Sequence, residues 1–514
     1  MSTNVAINET EQPAVMKEQR LFHYWGKLTE RHPTIAAFGR VLSASITAKI
    51  FTVARGLIIA KLVAPEVFGI SGTIAIILAY AQYADLGTSN AASREITEAL
   101  GKGEPQDAKR AASWLSGLKL ISIAAVTLVV LAISRLPHLE PSMRLSLTVF
   151  PAIAFPSIIL NIVLTQWYAQ SRTKEFSRAT TIAAATDFAL GVTLTWIWGL
   201  TGLLTASALA PAATFVWSLT NGNITFPALP PIKVIKRYLI IGLPFIALAL
   251  IDHNLIYIDQ LIVLRYFSVR EVGLYNIALM ATEVVRMISI ATGVVVGPRL
   301  IREYAQSGGN IESIREITFK PIRLHALIVP FAIAGLWIIG GFLITRFYPK
   351  YIESLRPMHI LLLAFYFLVV NAGVTTFLFA INKHYRNLYI ITPSLIFNVI
   401  IDLVLIRLGY GILSIALGSL LTYILYSMTH IGYVISHFRM ALKEKVGFYG
   451  EWLFPIIYLS MVLFIVEKFF TYRSSAQGAI IAFLVSYFLL IPLAIRGGLI
   501  SGKRKGLYDE SSKD

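Results

Sequence analysis

Cysteine is absent from the 514 residues. Disulfides, thiolate metal sites and cysteine nucleophiles are therefore excluded. Charge is also scarce: Asp, Glu, Lys and Arg make up 14% of the chain, against 56% hydrophobic residues and a mean hydropathy of +0.68. A water-soluble protein of this length needs far more charge to cover its surface, so the composition specifies a polytopic membrane protein. The nine histidines are scattered, without HExxH or paired spacing, which argues against a metal site. A GxxxxGKS/T loop to hold ATP phosphates is missing, since Gly101-Lys-Gly103 lacks the spacing, and this excludes a single-chain ATP-driven pump. Residues 1–33 are polar and carry no apolar core with a cleavage site, so no cleaved signal peptide is expected.

Apolar windows dominate what remains. Spans of bilayer length, about 20 residues, fall at 36–60, 68–88, 112–134, 146–168, 179–199 and 202–220. Six more lie at 238–264, 272–298, 324–346, 358–382, 387–407 and 412–436, and a last pair at 450–470 and 477–496. The expected fold is all-α, with about 14 transmembrane helices and both termini on the same side. The expected organisation is a tail over 1–33, a six-helix lobe over 34–222, a linker over 223–237, a second six-helix lobe over 238–438, a helix pair over 450–496 and a tail over 497–514. Leu21-Phe-His-Tyr-Trp25 suits an interfacial anchor.

The formal net charge of +17 first suggests nucleic acid, but its distribution favours a plainer reading. With the N-terminus inside, 29 Lys or Arg fall on inner segments and 11 on outer ones. Arg40, Lys49, Arg55, Lys119 and Arg286 lie within spans. That excess places both termini in the cytoplasm, and no nucleic-acid partner is expected. Outer loops stay below about a dozen residues, so no extramembrane domain is expected there. The longest inner loop, 299–323, is expected to hold a short amphipathic helix on the membrane surface.

An internal repeat is legible. Lys61 and Gly69 flank the start of the second helix, and Arg265 and Gly273 flank the start of the eighth, 204 residues on. This offset maps helices 1–6 onto 7–12 in the same orientation, a parallel repeat of the kind that places a transporter's site between its halves.

Three stretches carry a family resemblance: Arg55-Gly-Leu-Ile-Ile-Ala-Lys61-Leu-Val-Ala-Pro65-Glu66-Val-Phe68-Gly69, Ala84-Asp85-Leu-Gly87-Thr-Ser-Asn90-Ala-Ala-Ser-Arg94, and Val272-Gly273-Leu-Tyr275-Asn-Ile-Ala278. They resemble Wzx-type polysaccharide flippases. The resemblance implies the multidrug/oligosaccharidyl-lipid/polysaccharide (MOP) exporter fold, MATE-like, with two six-helix lobes around a central cavity and alternating access. It implies undecaprenyl-pyrophosphate-linked oligosaccharide as cargo, moved from the inner to the outer leaflet of the bacterial cytoplasmic membrane for surface polysaccharide synthesis. It also implies the lipid bilayer as partner, with the pathway's polymerase and chain-length regulator as further candidates. Many members stop at twelve helices, so 450–496 is an addition. In related lipid II flippases an extra helix pair lines a lipid groove, a role carried here by analogy only.

Such a protein makes no covalent bond, so no catalytic residue and no cofactor are expected beyond H+ or Na+ as coupling ion. It must hide a sugar–pyrophosphate head group from hydrocarbon. A basic side chain at mid-bilayer costs about 3 kcal/mol or more, so it usually faces a wet interior. The candidate cargo ligands are Lys49, Arg55, Arg286 and, more weakly, Lys119, which can snorkel to the inner face. Arg40 and Arg55 can also snorkel, to opposite interfaces. Lys49 and Arg55 are about 120° apart on their helix and do not share a clean face.

The candidate coupling residues are Asp252, Asp259 and Glu283. Asp252 and Asp259, seven residues apart, return to within about 20° of one face and could look into one cavity. Such carboxylates can take up a proton or help hold Na+. The plainer alternative is pairing, of Asp252 and Asp259 with Arg286 or with the basic residues of the other lobe, and of Glu283 with Arg286 at i, i+3. Asp187 and the Asn398/Asp402 pair suit ties between helices. Trp167, Tyr168, Tyr366, Phe367 and Tyr423 offer faces for sugars, although most are expected to face lipid or the interfaces. Pro151, Pro156 and Pro244 interrupt helices where gating would need it. Two other functions compete: a MATE-type multidrug exporter, which would favour acidic residues in the first lobe, and a polysaccharide polymerase or ligase, which would need a long external loop.

Overall fold

The computed structural model describes residues 33–221 and 224–469, and these form helices joined by short turns. In chain order the first half comprises α1 (Pro33–Leu62), α2 (Pro65–Ala81), α3 (Thr88–Gly101), α4 (Pro105–Ser134), α5 (Pro141–Ala169), α6 (Thr173–Trp198) and α7 (Leu200–Asn221). The second half comprises α8 (Ile232–Tyr266), α9 (Val269–Gln306), α10 (Arg315–Phe347), α11 (Leu355–Val370), α12 (Ala372–Ala380), α13 (Leu388–Arg407) and α14 (Leu413–Ile435), followed by α15 (Leu442–Phe469). Twelve helices among the described residues are long and apolar enough to cross a membrane, counting α11 and α12 as one; α2 is apolar but shorter. The chain is a multi-pass membrane protein. The window at 477–496, the segment Leu21–Trp25, residues 1–32 and the tail from 497 lie outside the described residues.

The packing order of the first half recurs in the second. α1 packs on α6, α6 on α7, α5 on α7, α4 on α5, and α2 on α5; likewise α8 on α13, α13 on α14, α11 on α14, α10 on α11, and α9 on α11. Each half has its own cluster of buried apolar side chains, one built around Ala112, Leu115, Phe150 and Ala154, the other around Tyr366, Val369, Phe377 and Ile431. α15 packs on α10 and adds Phe448 and Trp452 to the second cluster. Helices in lipid associate by close packing more than by apolar burial, and the halves meet accordingly through small residues. At the α2–α9 crossing a Cβ on Gly69 would overlap the Val269 carbonyl, one on Gly273 the Pro65 carbonyl, and one on Gly72 the Asn276 amide. Val269, Gly273 and Asn276 lie 204 residues after Pro65, Gly69 and Gly72. The repeat seen in the sequence is therefore also a reciprocal contact between the two segments that carry it.

Three expectations are corrected. The helix expected over 68–88 breaks at 82–87, because Asp85 turns its carboxylate back to accept from the Gly87 and Ser89 backbone N–H groups (3.1 and 3.2 Å). Gly87 stands there at φ +79°, a conformation costly for any side chain, and starts α3. The helix expected over 358–382 is interrupted at Asn371. No separate amphipathic helix forms in 299–323: α9 continues straight to Gln306, and Ser307-Gly-Gly-Asn310 leads through a short 3-10 turn, Ile311–Ile314, into α10. With 38 residues, α9 is about 57 Å long, well beyond the hydrocarbon thickness.

The described loops between helices place the start of α1, the α3–α4 turn, Lys233, Lys236, Arg237, Arg315 and Lys443 on one side, here termed the basic face. The α1–α2, α8–α9 and α13–α14 turns form the opposite face.

Candidate functional site

A cavity of about 870 Å³ is walled by α8, α9, α11, α12 and α14 of the second half. Asp252 and Arg286 stand in its wall at mid-helix, with Asn371, Thr375 and Tyr426 facing them, and Ile301 and Arg302 carry it toward the basic face. Arg286 is held rather than free. It donates to Tyr257 Oη (2.5 Å) and lies over the Tyr257 ring at 5.6 Å, and it donates to Glu283 Oε1 at 3.0 Å. Glu283 in turn pairs with Lys49 Nζ at 2.5 Å. Lys49 belongs to α1, so the chain Lys49–Glu283–Arg286–Tyr257 crosses from one half to the other. Tyr257 stacks on His253 (4.4 Å), which also meets Tyr80 and Tyr83, while Tyr80 donates to Asn254 Oδ1 at 2.8 Å. Lys49 and Arg286 thus meet on one carboxylate, and Arg286 alone of the two reaches the cavity wall.

The first half has its own cavity, about 410 Å³, between α1, α2, α5, α6 and α7. Arg55 and Asp187 line it and pair at 3.3 Å, and Arg55 also donates to Ser207 Oγ at 3.4 Å. Arg55 therefore does not snorkel to the interface, and Asp187 ties α1 to α6. Lys119 is corrected more sharply: it is only 8% exposed and donates to Asn161 Oδ1 at 2.7 Å, binding α4 to α5 instead of reaching for the inner face. It lines neither cavity. Arg40 sits near the start of α1, donating weakly to Thr173 Oγ1 at 3.4 Å.

Asp252 and Asp259 do not share a cavity. Asp259 turns into the second half's interior, 3% exposed, where Tyr275 Oη donates to it at 3.0 Å and Ser419 Oγ also donates to it. Asn398 and Asp402 of α13 are fully buried in the same interior. Their side-chain nitrogen and oxygen atoms, like Asp259 Oδ1, have no hydrogen-bond partner. A Cβ on Gly418 would overlap Asp402 Oδ1, so this glycine lets α14 accept the carboxylate. Two carboxylates brought together out of water require a proton or a cation. The donor set, all hard oxygen, suits either. Asp402, Asn398 and Ser419 are the residues that linear reading undervalued, since only the α8–α13–α14 packing brings them to Asp259.

The aromatic expectation holds for Tyr168 alone, which is exposed; Trp167, Tyr366, Phe367 and Tyr423 are buried packing residues. Tyr426 and Phe379 line the large cavity instead.

Both ends of the boundary between halves are closed. At the opposite face, besides the glycine crossing, Arg270 bridges Glu66 (3.2 Å) and Glu353 (2.8 Å), and Tyr351 Oη donates to the Val63 carbonyl at 3.4 Å. Toward the basic face, Gly87 and Gly242 bring α3 and α8 into backbone contact, and Arg237 pairs with Glu95. Within α3, Arg94 bonds Glu98 at 2.6 Å and holds that carboxyl below the usual range.

Comparison with known structures places this architecture. The chain is similar to the lipid II flippase MurJ in an inward closed conformation (15% identity, TM-score 0.68, covering 89% of this chain and 99% of that one). It is also similar to an inward-facing multidrug resistance MATE family transporter of the MOP superfamily (15% identity, TM-score 0.61, 77% and 98%). A third likeness is to a MOP superfamily transporter from Pyrococcus furiosus with a binding pocket of reversed polarity (13% identity, TM-score 0.50, 78% and 96%). No curated protein sequence matches. At these identities the likeness establishes the fold, which the chain shares with these transporters. The sequence family of polysaccharide biosynthesis proteins matches residues 58–355, more than half of the chain, across both glycine-bearing segments of the crossing. The chain belongs to that family of polysaccharide biosynthesis proteins.

Proposed function

We propose that this protein is a flippase that moves undecaprenyl-pyrophosphate-linked oligosaccharide from the inner to the outer leaflet of the cytoplasmic membrane, by ion-coupled alternating access. The observation that carries this reading is Arg286: a guanidinium at mid-membrane, in the wall of a large cavity, joined through Glu283 to Lys49 of the other half. A pyrophosphate is the ligand that such a cluster would hold best, because a guanidinium meets phosphate oxygens in a fork of parallel hydrogen bonds. On binding it would compete with Glu283 for both cations and so loosen the contact between halves. The cavity volume lies within the range of about 300–1,000 Å³ usual for small-ligand sites. It suits the phosphate-proximal part of a head group, and the rest of the glycan would need the halves to part. Membership of a polysaccharide biosynthesis family supports a glycan cargo, and likeness to a lipid II flippase supports a lipid-linked one.

The basic face is cytoplasmic in this reading, as the loop charges require. The Asp259–Asn398–Asp402 cluster is the ion site: H+ or Na+ bound there would neutralise the buried carboxylates and set how closely α8, α13 and α14 pack. The protein is then a secondary transporter and no enzyme. A MATE-type exporter of cationic drugs fits less well, because arginine matches or outnumbers aspartate in each of the two cavity walls and leaves no net negative charge for such cargo. A polymerase or ligase fits least, since the turns of the opposite face among the described residues are all short.

The test is complementation of a deletion strain, with membrane expression matched. Wild type restores surface glycan, whereas Arg286→Ala leaves lipid-linked glycan on the cytoplasmic side. Normal surface glycan in the uncomplemented deletion, with new sensitivity to cationic drugs, would transfer the assignment to a multidrug exporter.

A further inference from the structure

A third concavity, about 340 Å³, opens between α1 and α6 and shares no lining residue with the two cavities above. Its wall carries two guanidiniums, Arg40 and Arg178, and four hydroxyls, Ser43, Thr47, Ser177 and Thr181. No carboxylate lines it. Glu175, the acid nearest along α6, is engaged by Arg172 at 3.2 Å. Arg55, Lys49 and Arg286 each have a carboxylate within ion-pair distance, whereas among the described residues Arg40 has only its long contact to Thr173 Oγ1 (3.4 Å).

Two donors here are left without a protein partner. Ser177 is 8% exposed, and its hydroxyl makes no hydrogen bond. Arg40 Nε is buried and likewise unbonded. A buried donor left unpaired costs about 1–3 kcal/mol, so both atoms point to an acceptor that the described residues do not supply. Ser177 also lies in the first turns of the 26-residue α6, whose N-terminal end favours negative charge. The depth fits a lipid head group. Nine residues of helix separate Arg40 from Lys49, about 13 Å, close to the half-thickness of about 15 Å between bilayer centre and hydrocarbon boundary.

We propose that this groove binds the phosphate of an anionic membrane lipid at the basic face, with Arg40 and Arg178 clamping the phosphate oxygens and Ser177 donating to one of them. The acyl chains then lie along the outer surface of α1 and α6, and the bound lipid splints the two helices at the end where the first half begins. The flippase reading is not needed for this site, and either can fail without the other.

The test is lipid retention. Full-length protein, delipidated in detergent, is titrated with phosphatidylglycerol and with phosphatidylcholine and read by native mass spectrometry. Wild type is expected to retain a phosphatidylglycerol that phosphatidylcholine does not replace. Arg40→Ala/Arg178→Ala should weaken that adduct by about tenfold or more, whereas Lys443→Ala/Lys445→Ala, a basic pair elsewhere on the same face, should not. Ser177→Leu fills the groove while keeping both charges, and gives the same loss if the double variant folds poorly. Equal retention by wild type and the groove variants would overturn the proposal. Displacement of the lipid by millimolar inorganic phosphate, itself bound in an Arg40-dependent way, would overturn the lipid assignment in favour of a free-phosphate site.

Discussion

Each half of the molecule has a cavity whose wall carries an intramembrane arginine and an aspartate, yet the two are wired differently. In the first half, Arg55 pairs with Asp187 and donates to Ser207, all within the α1–α6–α7 packing. In the second, Arg286 shares Glu283 with Lys49 from across the boundary, and Asp252 stands beside it in the wall without a bonded cation. A closed ion pair holds helices together and has little left to offer a ligand. A carboxylate shared by two cations is a junction that an incoming anion can open. On the proposed flippase reading, that difference gives the first cavity an architectural role and the second the cargo.

The junction should be the most costly place to intervene. Glu283→Gln leaves Lys49 and Arg286 facing each other in a partly buried site, and loss of one partner of a buried pair costs about 3 kcal/mol or more. A large drop in thermal unfolding midpoint is expected, recovered by Lys49→Met on top of Glu283→Gln. Failure of that rescue would show that the two residues are not coupled.

Next comes the buried carboxylate cluster, the second feature without a counterpart in the first half. If Na+ occupies it, wild type gains about 2.7 kcal/mol at a hundredfold excess over its dissociation constant. Asp402→Asn should abolish the Na+-dependent rise in unfolding midpoint. A midpoint indifferent to Na+ in wild type would leave the proton as the ion.

A smaller effect is expected at the glycine crossing. Gly273→Ala pushes α9 from the Pro65 carbonyl and should favour separation of the halves at the opposite face. The absence of native cysteine makes this measurable: Glu66→Cys with Arg270→Cys should cross-link readily in the parent background and slowly with Gly273→Ala.

Smallest of all is the pair of carboxylates on α3. Glu95→Gln removes a contact between halves, whereas Glu98→Gln removes one within the helix, so only Glu95→Gln should change cross-linking at the basic face. Glu98 should also keep its pair as pH falls through the ordinary carboxylate range. Its pKa is depressed by Arg94, so the contribution is present above the unfolded value and is lost only as pH passes the lower folded one.

The sequence made the helical layout legible because hydropathy reports membrane spans directly, and thirteen of the fourteen expected windows coincide with described helices. The repeat was legible as well, since Gly69 and Gly273 sit where two backbones touch and no side chain fits. Breaks inside spans were not, because Asp85 and Asn371 interrupt helices through local backbone chemistry that leaves hydropathy unchanged. The candidate site was legible as a list of intramembrane charges but not as a set of partners. Lys49 meets a glutamate 234 residues on, and Lys119 meets Asn161, contacts that no spacing rule within one helix encodes. Asp259 illustrates the limit of face arguments: the seven-residue return to Asp252 is real, but along α8 the neighbours change from cavity to packed interior.

Surface glycan in a deletion strain carrying either Arg286→Ala or the double variant Arg55→Ala/Asp187→Ala, at matched membrane abundance, is the most direct test. The expected result is trapped lipid-linked glycan with Arg286→Ala and near-normal export with the neutralised first-half pair. Normal export with Arg286→Ala, or equal loss with both, would contradict the assignment of cargo to the second cavity.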